Sequence, residues 1–148
     1  MEAVREKVRA RGTLTFRLIG PDGRVKRIVR RRNLIVTTGK SHMADQMSDQ
    51  GESAMSHIAI GTGTTAPVVG DTTLESEVAR TALDSKTQNN NEVGYVGTFG
   101  AGVGTGAITE SGILNASSAG VLLNRATFSA INKGANDSLQ VTFDVTYT

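Results

Sequence analysis

The last ten residues, LQVTFDVTYT (139–148), alternate without a break. Leu139, Val141, Phe143, Val145 and Tyr147 fall on one side; Gln140, Thr142, Asp144, Thr146 and Thr148 fall on the other. A period of two puts successive side chains on opposite faces of an extended chain. The segment therefore reads as an antiparallel strand with one face in a core and one in water. TLTFRLI (13–19) repeats the pattern, with Leu14, Phe16 and Leu18 opposing Thr13, Thr15 and Arg17. Pro21-Asp22-Gly23 follows as a turn: proline presets φ and glycine permits a positive value. Residues 24–30 then return as a second strand, and 33–38 read as a third.

Outward from these, residues 56–60, 93–99, 108–114 and 121–130 also read as strands. Turn clusters separate them at 117–120 and 132–137. Residues 40–50 change period: Met43 and Met47 share one helical face, Ser41 stands as N-cap and Gly51 lies past the end. A second brief helix is predicted over 73–83, where Thr72 and Glu75 have capping-box spacing and Leu74 and Val78 form the buried side. Residues 84–92 read as a polar loop and GAGVGTG (100–106) as a flexible tip. Many short strands with turn signals between them predict a mainly β fold. The expected architecture is an antiparallel β-sandwich or barrel with one or two short helices. The expected organisation is a basic N-terminal arm over 1–12 and a single β-rich domain over 13–148.

The chain has 148 residues, enough for one domain with its own core. It has no cysteine, which excludes disulfides, thiolate zinc sites and cysteine nucleophiles. The net charge is only +2, but it is divided unevenly. Residues 1–40 carry 12 Lys/Arg and 3 Asp/Glu, a net of +9, and the remainder carries −7. Such asymmetry points to a basic arm or face that meets something acidic. No apolar run approaches the ~20 residues that cross a bilayer, so no membrane is expected. The first residues lack the apolar core of a secretory signal, so a soluble protein made in a cytoplasm is expected.

Residues capable of chemistry are sparse. Gly39-Lys40-Ser41 imitates the end of a phosphate-binding loop, but the required earlier glycine position is Leu34. Gly61-Thr62-Gly63 is followed by Pro67 and lies in no βαβ unit, so it reads as a loop. His42 and His57 have no spaced partners for a metal. Ser41, His42 and Asp45 have the residue types of a triad without a nucleophile elbow. Glu75/Glu77 and Asp45/Asp49 read as solvated helix faces. The expectation is a chain with no cofactor, no metal and no catalytic residues.

The strongest signal is basic. Arg5, Lys7, Arg9 and Arg11 lie in the arm; Lys26, Arg27, Arg30, Arg31 and Arg32 lie on the second strand and its end. On an extended strand this run divides between two faces. Single-stranded nucleic acid would call for stacking aromatics, and duplex DNA for a recognition helix. Phe16 is the only aromatic in the first 90 residues. An acidic protein surface is therefore the favoured partner over nucleic acid.

Three segments in this order resemble a family of small structural proteins of tailed bacteriophages. They are NLIVTTGKSHMADQM (33–47), SHIAIGTGTTAPVVGDTTLESEVAR (56–80) and ITESGILNASSAGVLLNRATFSAINKGANDSLQVTFDVTYT (108–148). The resemblance implies a virion component, assembled in the cytoplasm of the host bacterium. The leading expectation is a capsid decoration (cement) protein that binds the major capsid protein, or other virion proteins, as a homo-oligomer (trimer or dimer). A tail or tail-fibre component is the alternative, and a nucleic-acid-binding module the second.

Overall fold

A computed structural model describes residues 4–148. Nine strands and one helix follow in the order β1 (Ala10–Ile19), β2 (Val25–Ile35), α1 (Thr37–Ser48), β3 (His57–Gly61), β4 (Glu77–Ala82), β5 (Ser85–Asn89), β6 (Glu92–Phe99), β7 (Gly106–Leu114), β8 (Asn124–Lys133) and β9 (Ser138–Tyr147). They form one antiparallel sheet with the order β4-β3-β7-β8-β2-β1-β9-β6-β5. The sheet curls into a half-barrel, the mainly β architecture that the alternating segments predict.

The terminal strand behaves as its pattern dictates. Leu139, Val141, Phe143 and Val145 are fully buried against Leu18, Phe16, Leu14 and Gly12 of β1. The main core gathers these with Ile58, Ile60, Phe99, Ile108, Ile113 and Leu123. A second, smaller core joins Val36, Ala59, Leu74, Leu114 and Leu122. It lies on the other side of β3, where Leu74 of the 62–76 loop meets Ala59.

Four boundaries differ from the sequence reading. The second and third expected strands are one continuous strand, β2, because its pairing with β1 runs unbroken from Asn33 to Arg27. The helix starts at Thr37, ahead of Ser41, and no side chain caps it. The Thr37 N–H instead donates to the Val69 carbonyl at 2.8 Å. The expected helix over 73–83 is strand β4. Its residues pair with β3 from Glu77 to Ala82, and Val78 is left exposed. Glu75 accepts from the Thr64 N–H at 3.2 Å, where a capping box would have turned it to residue 72. The expected polar loop at 84–92 contains β5, which pairs with β6 despite having five exposed residues.

The 1–12 arm is also shorter than expected. Ala10, Arg11 and Gly12 belong to β1, paired with Tyr147, Thr146 and Val145. The 100–106 tip is fastened to the body. The Gly102 N–H donates to the Ala135 carbonyl at 2.8 Å, and Lys133 Nζ donates to the Gly100 carbonyl at 2.9 Å.

Candidate partner-binding site

The basic residues separate into tied and free groups, and the pairing register decides which is which. Leu14, Phe16 and Leu18 face the core, so their cross-strand partners Arg31, Val29 and Arg27 share the inner face. Arg30 and Arg32 oppose Thr15 and Thr13 on the outer face, and Ile28 opposes Arg17 there.

β2 pairs with β8 only at Leu34 and Ile35. Beyond that point the two strands part. Phe128 of β8 turns to meet Phe16 of β1, with ring centroids 4.3 Å apart. Arg27 and Arg31 span the resulting fork. Arg27 Nη1 donates to the Ala130 carbonyl at 2.8 Å, and Arg31 Nε donates to the Thr127 carbonyl at 3.3 Å. Lys26 Nζ is paired with Asp137 at 3.0 Å. Asp137 is held below the usual carboxylate range, first by the Gly134 N–H and then by Lys26.

Among the described residues, the side chains of Arg11, Arg17, Arg30 and Arg32 make no hydrogen bond or ion pair. Arg11, Arg32 and Lys40 line one polar recess of about 550 Å³ with Thr13 and Asn33. The Asn33 amide packs over Gly12, and neither of its polar atoms finds a partner. The recess therefore offers three cations to an incoming acidic group, while the unpartnered Asn33 amide lies buried against Gly12. Ile28, 49% exposed, adds an apolar contact on the same strand. Arg5, Lys7 and Arg9 lie on the exposed chain before β1.

Lys40 belongs to this set although sequence reading assigned it only to a phosphate-loop imitation. Gly39 beside it has a packing reason. A Cβ there would strike the Leu123 backbone carbonyl, so glycine lets α1 lie against the start of β8.

The other residues considered for chemistry are engaged structurally. His42 is buried with Nε2 2.8 Å from the Ser53 carbonyl oxygen, while Asp45 accepts from the Glu52 N–H at 3.0 Å. His57 Nδ1 is 2.7 Å from Ser56 Oγ. Among the described residues, no three His, Asp or Glu side chains converge for a metal ion. Glu77 is bound by Arg80, whose Nη1 also reaches the Ala116 and Ala119 carbonyls.

Sequence reading missed the most buried charge centre. Glu110 is fully buried on β7. Its Oε1 accepts the N–H groups of Gly63 (3.1 Å) and Ser76 (2.7 Å). Its Oε2 accepts the Glu75 N–H at 3.0 Å and Arg125 Nε at 2.9 Å. Arg125 Nη1 continues to Asp71 at 3.0 Å. This carboxylate fixes both ends of the 62–76 loop. It also explains the glycines of the GTG segment, since a Cβ on Gly63 would lie 2.6 Å from Glu110 Oε1. The available signal was Glu110, the one charged residue of β7, and Arg125 near the start of β8.

Comparison with protein-family models, with curated proteins and with solved structures gives no match.

Proposed function

We propose that this chain is a non-catalytic structural component of a bacteriophage particle, a capsid cement protein that docks on the major capsid protein. The observation that carries the reading is the sorting of basic side chains. Arg27, Arg31 and Lys26 are consumed by the fold, while Arg11, Arg17, Arg30, Arg32 and Lys40 are left for a partner. That arrangement suits an acidic protein surface, which would place carboxylates in the Arg11–Arg32–Lys40 recess and an apolar contact on Ile28. Arginine suits this task because its planar fork meets a carboxylate through two hydrogen bonds. Phe16 and Phe143, the aromatics that lie across β1 and β9 from the basic strand, are inside the core. That favours a protein partner over nucleic acid. The order of the three resembling segments supports the virion setting.

The test is to add the purified chain to empty capsid shells and, separately, to tails of the phage whose genome encodes it. Binding to shells at many lattice-repeated positions, with a rise in the temperature at which shells fall apart, is the expected result. A ligand that binds only the assembled shell must stabilise it by mass action. Binding confined to the tail overturns the cement reading in favour of a tail component. A mobility shift of nucleic acid at low salt without shell binding moves the function to a nucleic-acid module.

A further inference from the structure

The 62–76 loop is held more tightly than a surface connection requires. Besides the three N–H groups that Glu110 accepts, the Thr109 hydroxyl donates to the Gly63 carbonyl at 2.8 Å, and the Thr62 N–H donates to the Ser76 carbonyl at 2.9 Å. Further out, Asp71 Oδ2 accepts the Val68 N–H at 3.0 Å as well as Arg125 Nη1. The Asp71 N–H donates back to the Val68 carbonyl at 3.0 Å. Pro67 fixes one φ of the tip. Burying charges such as Glu110 and Arg125 is costly, and here the buried charges hold one loop in one shape.

What the loop presents is apolar. Residues 62–70, TGTTAPVVG, carry no charge. Val68 is 57% exposed and Val69 is 53% exposed. Among the described residues they are the one pair of consecutive large apolar side chains that are both exposed. A lone exposed valine is ordinary, but a rigid, charge-free tip with two of them marks a contact surface. The tip also lies beside the basic recess. The Val69 carbonyl accepts the N–H of Thr37, in the first turn of α1, at 2.8 Å. Thr37 and Lys40 are three residues apart on α1 and so share a helical face, and Lys40 lines the recess with Arg11 and Arg32.

We propose that the 66–69 tip is the apolar anchor of the docking face whose charged part is the basic recess. The partner that fits is an acidic protein surface with an apolar pocket beside its carboxylates. The pocket takes Val68 and Val69, and the carboxylates meet Arg11, Arg32 and Lys40. An apolar centre beside a charged rim is how protein interfaces divide affinity from specificity. A polyanion without such a pocket would use the cations and leave the valines in water. The fixed shape of the loop favours binding, because little freedom is left to lose. The inference rests on the reading of a shell partner and specifies the chemistry of that partner's docking site.

Binding of the full chain to empty capsid shells, compared between the wild type and Val68→Thr/Val69→Thr across a range of salt concentrations, tests it. Threonine keeps the β-branched shape of valine. Both positions are exposed, so the thermal unfolding of the variant should match that of the wild type. The variant is expected to bind about tenfold more weakly or worse, because apolar burial is lost and buried hydroxyls are left unpaired. Its binding should depend on salt as steeply as that of the wild type, since no charge has changed. Lys40→Gln should do the converse, flattening the salt dependence. A threonine variant that binds as tightly as the wild type overturns the inference and leaves the cement reading standing. A threonine variant with a flattened salt dependence shows that the tip acts through the recess, which overturns its role as an anchor. A wild type that binds no shell overturns the cement reading and this inference with it.

Discussion

Arg125 and Arg30 are the same residue type on strands of the same sheet, yet they do opposite work. Arg125 is 2% exposed and spends its guanidinium on Glu110 and Asp71. Arg30 projects from the outer face and has no partner among the described residues. The difference arises from pairing. Arg125 of β8 is held under the 62–76 loop through Asp71, whereas β2 meets β8 only at its last residues, Leu34 and Ile35, and keeps the outer face of residues 25–33 bare. Charge within a covered strand becomes architecture, and charge on a bare strand is left for recognition. The fork between β2 and β8 marks the boundary, with Arg27 and Arg31 bridging it.

The contrast is broken most severely at the covered centre. Glu110→Ala leaves Arg125 buried with one carboxylate and frees the backbone N–H groups of Gly63, Glu75 and Ser76. Removing one partner of a buried pair costs about 3–5 kcal/mol. Urea denaturation should show that loss, and a cost under about 1 kcal/mol would mean that water replaces the carboxylate. Gly39→Ala forces a methyl against the Leu123 carbonyl and should cost about 1–3 kcal/mol by overpacking. At the fork, Arg27→Ala removes one bond to a β8 carbonyl and should cost about 1 kcal/mol.

Acid should act through Asp137, which ties Lys26 of β2 to the turn before β9. Its pKa is lowered in the folded state. Such a carboxylate contributes stability that is present above its unfolded value, near 3.8, and lost as pH falls through the lowered folded value. The difference in unfolding free energy between the wild type and Asp137→Asn should therefore shrink as pH falls below 4. A constant difference down to pH 2 would contradict the assignment. The smallest stability effect belongs to the bare face. Arg30→Glu with Arg32→Glu should stay within about ±0.5 kcal/mol of wild type, as surface changes usually do, while removing partner binding.

The strands with one dry face were legible because burial on a single side imposes period two. β9 and β1 show this in full. β4 was misread because Thr72, Leu74, Glu75 and Val78 also satisfy helical spacing. Its pairing with β3, 21 residues earlier at Ala59↔Arg80, has no local signal. β5 was misread because SKTQN has no buried residue and is held by backbone pairing with β6 and by Lys86 Nζ donating to the Met55 carbonyl at 2.9 Å. At the candidate site, the alternation of Arg30 and Arg32 against Arg27 and Arg31 could be read from strand geometry. Which pair was free could not, because that depends on where β2 leaves β8. Lys40 joins Arg11 and Arg32 only when α1 is docked through Gly39. The Glu110–Arg125 contact required the shifted β7–β8 register after Ile108, which no periodicity encodes.

The central claim is that the unspent arginines of the outer face hold the protein on an acidic shell. It is tested most directly by measuring shell occupancy against salt concentration for the wild type and for Arg30→Glu/Arg32→Glu. Exposed charge pairs are screened over a Debye length of about 10 Å at 0.1 M salt. Wild-type occupancy should therefore fall as salt rises, and the variant should bind weakly at every salt concentration. Equal occupancy of the two proteins, unchanged by salt, would contradict the account.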